Sequence, residues 1–139
     1  MVSRIFLDAN VLLDLLLKRK GFLMARQIME KIIAGEVAGY VSPSIVHILA
    51  YWLKKAYGNH KARELVLVLL VNVKVIEIDH ETTIHALHSK IDEIEDALQY
   101  YTALHHELDA LITEDKLLRK ASTSILPIYT PEQLLRILA

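Results

Sequence analysis

The chain has 139 residues, a formal net charge of -1 and no cysteine. A chain of this length with 53% hydrophobic and 24% charged residues predicts a single globular domain, residues 1–139, with a sizeable core. The absence of cysteine excludes disulfides and thiolate metal sites, so any metal must be held by Asp, Glu or His. The longest apolar stretch, residues 65–71, is too short to cross a bilayer. We therefore expect a soluble, cytoplasmic protein without a membrane partner.

The near-neutral charge gives no overall attraction to nucleic acid. A polyanionic partner would have to bind local basic clusters, which occur at residues 18–20, 54–55 and 119–120. Charged runs of this kind are also common at solvated helix ends, so the clusters alone do not predict such a partner.

The predicted elements alternate between strand and helix. The first half contains a strand at 3–8, helices at 10–18 and 22–34, a short strand at 39–41, a helix from Pro43 that Gly58 ends, and a helix at 60–70. Ser42 before Pro43 is typical of an N-cap followed by proline at the first helical position. The helix at 60–70 is apolar almost all round, which predicts a buried element.

The second half continues the alternation. It contains a strand at 73–78 closed by Asp79, a helix at 81–89, a helix from 92 to about 106, a strand at 109–113, a helix at 114–120, a strand at 125–129, and a closing helix with Thr130 as N-cap and Pro131 at its first position. Repeated strand-to-helix steps favour a parallel sheet with helices on both faces.

Asp8 follows a buried strand and precedes an amphipathic helix. An acid in this position lies at the carboxyl edge of the sheet, where ligands bind in open α/β folds. The alternative is an N-cap, in which the carboxylate accepts a backbone N–H of the helix. On this motif alone the cap is the preferred interpretation.

Two further acids are related to Asp8 by the predicted topology. Asp115 follows the strand ending at Thr113, and Asp96 opens the helix that leads into that strand. If the two strands are parallel neighbours, Asp8 and Asp115 meet at one edge, and Asp96 joins them if its helix runs antiparallel to the sheet from that edge. An acid in a first helical turn also complements the helix dipole, which is the alternative for Asp96. Clustered carboxylates suit Mg²⁺ or Mn²⁺ and repel one another without a cation.

Three segments resemble a known family. They are FLDANVLLDLL at residues 6–16, EDALQY at 95–100 and LITED at 111–115, and TPEQL at 130–134 extends the likeness over nearly the whole chain. Together they resemble PIN domains, particularly the VapC-like toxins of bacterial and archaeal toxin–antitoxin pairs. The resemblance implies a three-layer α/β/α sandwich with a mainly parallel sheet, and a Mg²⁺- or Mn²⁺-dependent endoribonuclease that hydrolyses RNA phosphodiester bonds.

The resemblance also implies roles for individual residues. Asp8, Asp96 and Asp115 would be the catalytic, metal-binding acids, and Asn10 and Thr113 would orient them. Glu114 competes with Asp115 for the last position, and the register of Thr113 favours Asp115.

One position departs from the family pattern. PIN domains have a Glu on the helix that follows the second strand, where this chain has His47. Imidazole brings no negative charge and is a poor Mg²⁺ ligand, although it can bind Mn²⁺. The alternative is a polar residue on a half-exposed helix face. Glu64, Asp92 and Glu95 are other candidates for the missing charge.

The resemblance further implies an antitoxin partner, a homodimer and a groove for an antitoxin segment. We expect the apolar interface on the helices at 22–34 and 43–55. Its candidate residues are Phe22, Leu23, Ile45, Leu49, Trp52 and Leu53. Trp52 is equally compatible with a place in the core.

Two other functional classes remain open. A degenerate PIN domain with a metal site weakened by His47 would act as a non-catalytic RNA-binding or scaffold module. A phosphoryl-transfer protein also places an Asp after its first strand, but this chain has no Gly-rich phosphate loop and no strand-terminal Lys.

Overall fold

A computed structural model describes residues 1–139. The strands are β1 (Arg4–Leu7), β2 (Ala38–Val41), β3 (Val73–Val75), β4 (Ala110–Ile112) and β5 (Ile128–Tyr129). The helices are α1 (Ala9–Leu16), α2 (Phe22–Ile33), α3 (Pro43–Tyr57), α4 (Asn59–Leu69), α5 (His80–Leu87), α6 (Ile94–His105), α7 (Lys116–Arg119) and α8 (Pro131–Leu138). No helix is both long and apolar enough to span a membrane.

The five strands form one parallel sheet in the order β3-β2-β1-β4-β5. Strands β2 and β3 lie on one side of β1, and β4 and β5 lie on the other side. In one helical layer α1 packs on α2 and α3, α3 on α4, and α2 on α8, whereas α5 packs on α6. The predicted α/β/α sandwich is therefore confirmed, and the strand order reverses between β1 and β4, where ligands bind in such sheets.

The core lies against the two central strands. Ile5, Phe6 and Leu7 of β1 are buried, as is every residue of β4. Consecutive residues of a strand point to opposite faces, so uninterrupted burial shows that helices cover both faces of the sheet.

Helix α4 is not the buried element that its composition predicts. It buries Ala62, Val66 and Leu69, but Leu67 and Val68 are 62% and 63% exposed. The prediction of burial all round is wrong because α4 packs mainly on α3 at the outside of its layer, which covers only one stripe of the helix.

The interface residues predicted on α3 are also partly wrong. Ile45, Leu49 and Leu53 recur every four residues and are fully buried, because this stripe of α3 belongs to the core. Leu23 on α2 is exposed, and Trp52 is 46% exposed, so these two remain available to a partner.

Strands β3 and β5 are shorter than predicted. Strand β3 pairs with β2 only from Val73 to Val75, and β5 pairs with β4 only at Ile128 and Tyr129. The apolar pattern of the sequence continues beyond these residues, but a strand ends where its neighbour offers no further partner. Helix α7 begins at Lys116, two residues after the predicted start.

Candidate metal centre

Asp8 lies at the carboxyl end of β1, next to Thr113 on the neighbouring strand. Leu7 is in register with Ile112, and the Asp8 N–H donates to the Ile112 carbonyl at 3.1 Å. This register places the Thr113 hydroxyl beside the carboxylate, and its Oγ1 donates to Asp8 Oδ2 at 2.6 Å. Asp8 occupies the N-cap position of α1, but its side chain makes no capping hydrogen bond. The preferred interpretation of Asp8 as a side-chain cap is therefore wrong.

Asp96 lies in the first turn of α6, which packs on β1 and β4. The helix precedes β4 and starts at the carboxyl edge of the sheet, as the inclusion of Asp96 in the cluster requires. The Asp96 side chain is buried at 7% exposure. Burial, followed by the charges of Asp115, Asp8, Glu93 and Glu95, raises the pKa of Asp96 to about 6.

Asp115 follows β4 and is the N-cap of α7. Its Oδ1 accepts the Leu117 N–H at 2.8 Å and the Leu118 N–H at 3.4 Å. The Asp115 N–H in turn donates to Thr113 Oγ1 at 3.0 Å, so the Thr113 hydroxyl links this residue to Asp8. One carboxylate oxygen of Asp115 caps the helix, and Oδ2 makes no hydrogen bond within the chain.

Asp115 and Glu114, which compete for the same role in the sequence, differ in the structure. Glu114 is exposed, whereas the charge of Asp115 acts on both Asp8 and Asp96. The geometry therefore brings Asp115 to the acidic cluster.

Burial raises the pKa of Asp8 above its ordinary value. The hydrogen bond from Thr113 acts in the opposite direction, as do the nearby Ala9 N–H and Gln99 amide, and the charge of Asp115 raises the pKa further. Two buried carboxylates in one cluster are thus destabilised in their charged form, by desolvation and by like charge.

No cation of the chain compensates this cluster. Asp8, Asp96 and Asp115 form no salt bridge with Lys, Arg or His. Their donor set consists of carboxylate oxygens, which suits Mg²⁺ or Mn²⁺. No group of three or more His, Asp or Glu side chains is arranged in this structure as a ligand set for one metal ion. The residues fit a divalent ion by charge and donor chemistry, with water or substrate oxygens completing its coordination.

Asn10 is not an orienting neighbour of the acids in this structure. Its side chain is exposed, and Oδ1 accepts from Arg19 Nη2 at 3.3 Å. The predicted role of Asn10 therefore has no hydrogen bond to support it, whereas Thr113 contacts two of the acidic residues.

Gln99 is a polar residue of the centre that the sequence interpretation missed. It lies three residues after Asp96 on α6 and is 2% exposed. Three-residue spacing places both side chains on one helix face. The three-residue spacing of Asp96 and Gln99 within EDALQY is the sequence signal that could have identified Gln99.

His47 lies on α3 and is exposed. It lines a cleft of about 580 Å³ together with Asp92, Glu93 and Glu95. Of the alternative acids, Asp92 and Glu95 therefore lie near His47, whereas Glu64 pairs with Lys61 at 3.4 Å.

A second cleft, which lies beside Asp96, is lined by basic residues. Lys90, before α6, and Lys120, after α7, line a cavity of about 300 Å³ that includes Asp96. Neither lysine forms a salt bridge. The same cleft is thus lined by the carboxylates of Asp92, Glu93 and Asp96 and by two lysines that form no salt bridge.

Comparison with known proteins agrees with this geometry. A family model described as a PIN domain matches residues 4–117, a segment that includes all three acids. The chain belongs to the PIN-domain family. PIN domains are generally nucleases that use divalent metal ions.

Two solved structures share the PIN fold. One is the crystal structure of VapBC2 from Rickettsia felis bound to a DNA fragment from the promoter, with TM-score 0.72 and 13% identity over 92% of this chain and 98% of that chain. The other is a toxin–antitoxin complex from Klebsiella pneumoniae, with TM-score 0.69 and 23% identity over 93% of this chain and 98% of that chain. At these identities the likeness shows the fold alone. No curated protein matches the sequence.

Proposed function

We propose that this PIN domain is a Mg²⁺- or Mn²⁺-dependent endoribonuclease and the toxin of a toxin–antitoxin pair. The supporting observation is the cluster of Asp8, Asp96 and Asp115 at the β1–β4 edge, where two buried carboxylates lack a compensating cation. A divalent ion bound there would supply an activated water and would stabilise negative charge on the phosphate.

The protein's own residues position the phosphodiester and the ligands. Thr113 fixes the rotamer of Asp8 and receives the Asp115 N–H, so one hydroxyl orients two ligand residues. Asp96 is held by the start of α6. The acids act as ligands rather than nucleophiles, because their grouping suits cation binding and their combined charge repels a phosphate until a cation is bound.

Lys90 and Lys120 would bind RNA phosphates that flank the scissile bond, since both line the cleft at Asp96. Replacing both with Ala should weaken RNA binding. For two lost contacts to single-stranded RNA, the slope of log K against log salt should fall by about 1.4 in magnitude. Lys61→Ala is the control because Lys61 is paired with Glu64 on α4. An unchanged slope in the double variant would exclude the two lysines from the RNA path.

An antitoxin segment would dock in the groove between α3 and α4. This groove has a volume of about 430 Å³, and its lining includes Tyr51, Val66 and Leu67 with Lys54 and Arg63. It offers apolar contacts beside two positive charges, which suits a peptide with apolar and acidic side chains. The proposal agrees with the fold shared with VapBC2 and with the toxin–antitoxin complex from Klebsiella pneumoniae. The homodimer stays a prediction.

The decisive test is a cleavage assay on single-stranded and structured RNA with Mn²⁺ or Mg²⁺. Wild type should cleave only with the metal, and Asp8→Asn should lose activity. Asp79→Asn is the matched control, because Asp79 caps α5 and lies outside the cluster. Activity retained by Asp8→Asn would refute the assignment of the site.

A non-catalytic RNA-binding or scaffold role is the second candidate. The observation that favours it is the exposed His47 where the family has an acid. Metal binding and RNA binding without cleavage, in a correctly folded protein, would support this alternative over the nuclease.

A further inference from the structure

Arg19, in the turn between α1 and α2, extends back along α1 toward the start of that helix. Its Nε donates to Asp14 Oδ1 at 3.0 Å, and its Nη2 donates to the carbonyl and to Oδ1 of Asn10 at 3.4 and 3.3 Å. Asn10 and Asp14 are four residues apart, which is about one turn of helix, so the guanidinium reaches the first turn of α1. That turn begins directly after Asp8, so the tip of the Arg19 side chain lies close to the metal centre.

The anchor of this side chain depends on a close approach between Asp14 and Gly21. The φ of Gly21 is -85°, which any residue can adopt, so the backbone does not require glycine there. A Cβ at this position would overlap Asp14 Oδ2. The Asp14 side chain is 20% exposed and that of Arg19 is 42% exposed. The carboxylate is therefore confined within the turn, whereas the guanidinium that it holds reaches solvent.

The two anchors use only part of the hydrogen-bonding capacity of Arg19. A guanidinium carries five N–H donors in a planar fork, and Nη1 makes no hydrogen bond within the chain. Lys18 and Lys20 flank Arg19, are exposed and form no salt bridge. Asp14 thus pairs with one of three cations, and the turn keeps an excess of positive charge. A fixed guanidinium with free N–H groups suits a phosphate.

We propose that Arg19 binds an RNA phosphate on the α1 side of the metal centre. The inference rests on the proposed ribonuclease function. Lys90 and Lys120 line the cleft at the start of α6, and α6 packs in a different helical layer from α1. An RNA strand that contacts Arg19 and these lysines would therefore cross the metal centre, with flanking phosphates held on both sides of the scissile bond.

The test is the salt dependence of RNA binding. The probe is a fluorescently labelled, phosphorothioate-linked single-stranded RNA, which resists hydrolysis, and binding is followed by anisotropy in Mn²⁺. Loss of one phosphate contact in Arg19→Ala should lower the slope of log K against log salt by about 0.7 in magnitude. Arg19→Gln should give the same change, because it removes the charge and retains a donor for Asp14. If Arg19→Ala does not fold, Arg19→Gln decides the question alone.

Two control variants separate this contact from other effects of charge. Arg136→Ala also removes an arginine from an ion pair, with Glu132 at 2.9 Å on α8, and should leave the slope unchanged. Lys20→Ala removes the neighbouring charge, which has no anchor, and should change the slope less than Arg19→Ala does. Equal changes in Arg19→Ala and Lys20→Ala would show a diffuse basic patch and would overturn the specific role of Arg19.

The outcomes distinguish this inference from the proposed function. A folded Arg19→Gln protein with the wild-type slope overturns the role of Arg19, which is then a brace for the α1–α2 turn, and leaves the nuclease intact. Binding that depends on Arg19, without metal-dependent cleavage of ordinary RNA, supports the phosphate contact and overturns the nuclease. Absence of RNA binding in wild type overturns both.

Discussion

Replacing Asp96 with Asn should stabilise the metal-free protein at neutral pH. Burial, together with the charges of the neighbouring acids, raises the pKa of Asp96 from 3.8 to about 6, so folding favours the protonated acid. The folded state then binds more protons than the unfolded state between about pH 4 and 6, and stability falls as pH rises through this interval. At 1.36 kcal/mol per pKa unit, the ceiling is about 3 kcal/mol above pH 7.

The expected gain is smaller than this ceiling because the cleft beside Asp96 opens to solvent, which screens the charges. We expect about 1–2 kcal/mol, or about 3–7 °C in Tm for a domain of this size. Asn has nearly the shape of Asp, so packing should be preserved. As the pH falls well below 3.8, toward about pH 3, the two proteins should approach equal stability, because Asp96 is then protonated in both states.

Mn²⁺ should reverse the order of stability. At one hundred times its dissociation constant, an ion that binds only the folded state stabilises by about 2.7 kcal/mol, which exceeds the advantage expected for Asp96→Asn. Wild type should gain this stability, and Asp96→Asn should gain little. Thermal and urea unfolding in EDTA at pH 3 and at pH 7.5, and in Mn²⁺ at pH 7.5, measure these differences in stability.

The control is Asp79→Asn, which changes an acid at the start of α5. Its side chain accepts the Thr82 N–H, and side-chain hydrogen bonding to Thr82 is the first cause of a lowered pKa of Asp79, so this variant should not become more stable at pH 7.5. A metal-free Asp96→Asn protein that is no more stable than wild type at pH 7.5 would show that the charge of Asp96 does not destabilise the fold. An equal Mn²⁺ response in the two proteins would remove Asp96 from the metal centre.

Three other substitutions test separate parts of the interpretation. Thr113→Val should destabilise the protein by about 2 kcal/mol in urea unfolding and weaken Mn²⁺ binding, because the hydroxyl donates to Asp8 and accepts from Asp115. Thr113→Ser keeps the hydroxyl and should retain wild-type stability and Mn²⁺ affinity. A Thr113→Val protein with wild-type stability and affinity would refute the role of Thr113 in orienting the acids. His47→Glu should raise Mg²⁺ affinity and reduce any preference for Mn²⁺ in calorimetric titrations, whereas two unchanged affinities would place His47 outside the centre. Trp52→Ala should give a folded monomer on sedimentation, since Trp52 is 46% exposed; an unchanged dimer would exclude this interface, and a collapsed melting transition would place Trp52 in the core.

The sequence determined the fold class and the identity of the acidic residues. Apolar strands alternating with amphipathic helices specify a parallel sheet, because such segments can bury their apolar faces only in layers. Local chemistry also predicted the caps: Ser42 accepts the Ile45 N–H, and Thr130 forms a reciprocal capping box with Gln133. These features depend on neighbours along the chain, which the sequence displays directly.

Only the tertiary structure decided features that depend on distant partners. Asp8 and Thr113 are 105 residues apart, and the register of β1 on β4 makes them neighbours. Pairing also ends β3 at Val75, although the apolar pattern continues.

The exposure of α4 and the burial of Gln99 have the same origin. Periodicity identifies the apolar positions of a helix, but the number of elements packed around the helix determines how many of them are buried. For Gln99, spacing places the side chain on the Asp96 face, and the packing of α6 on β1 and β4 brings that face to the centre.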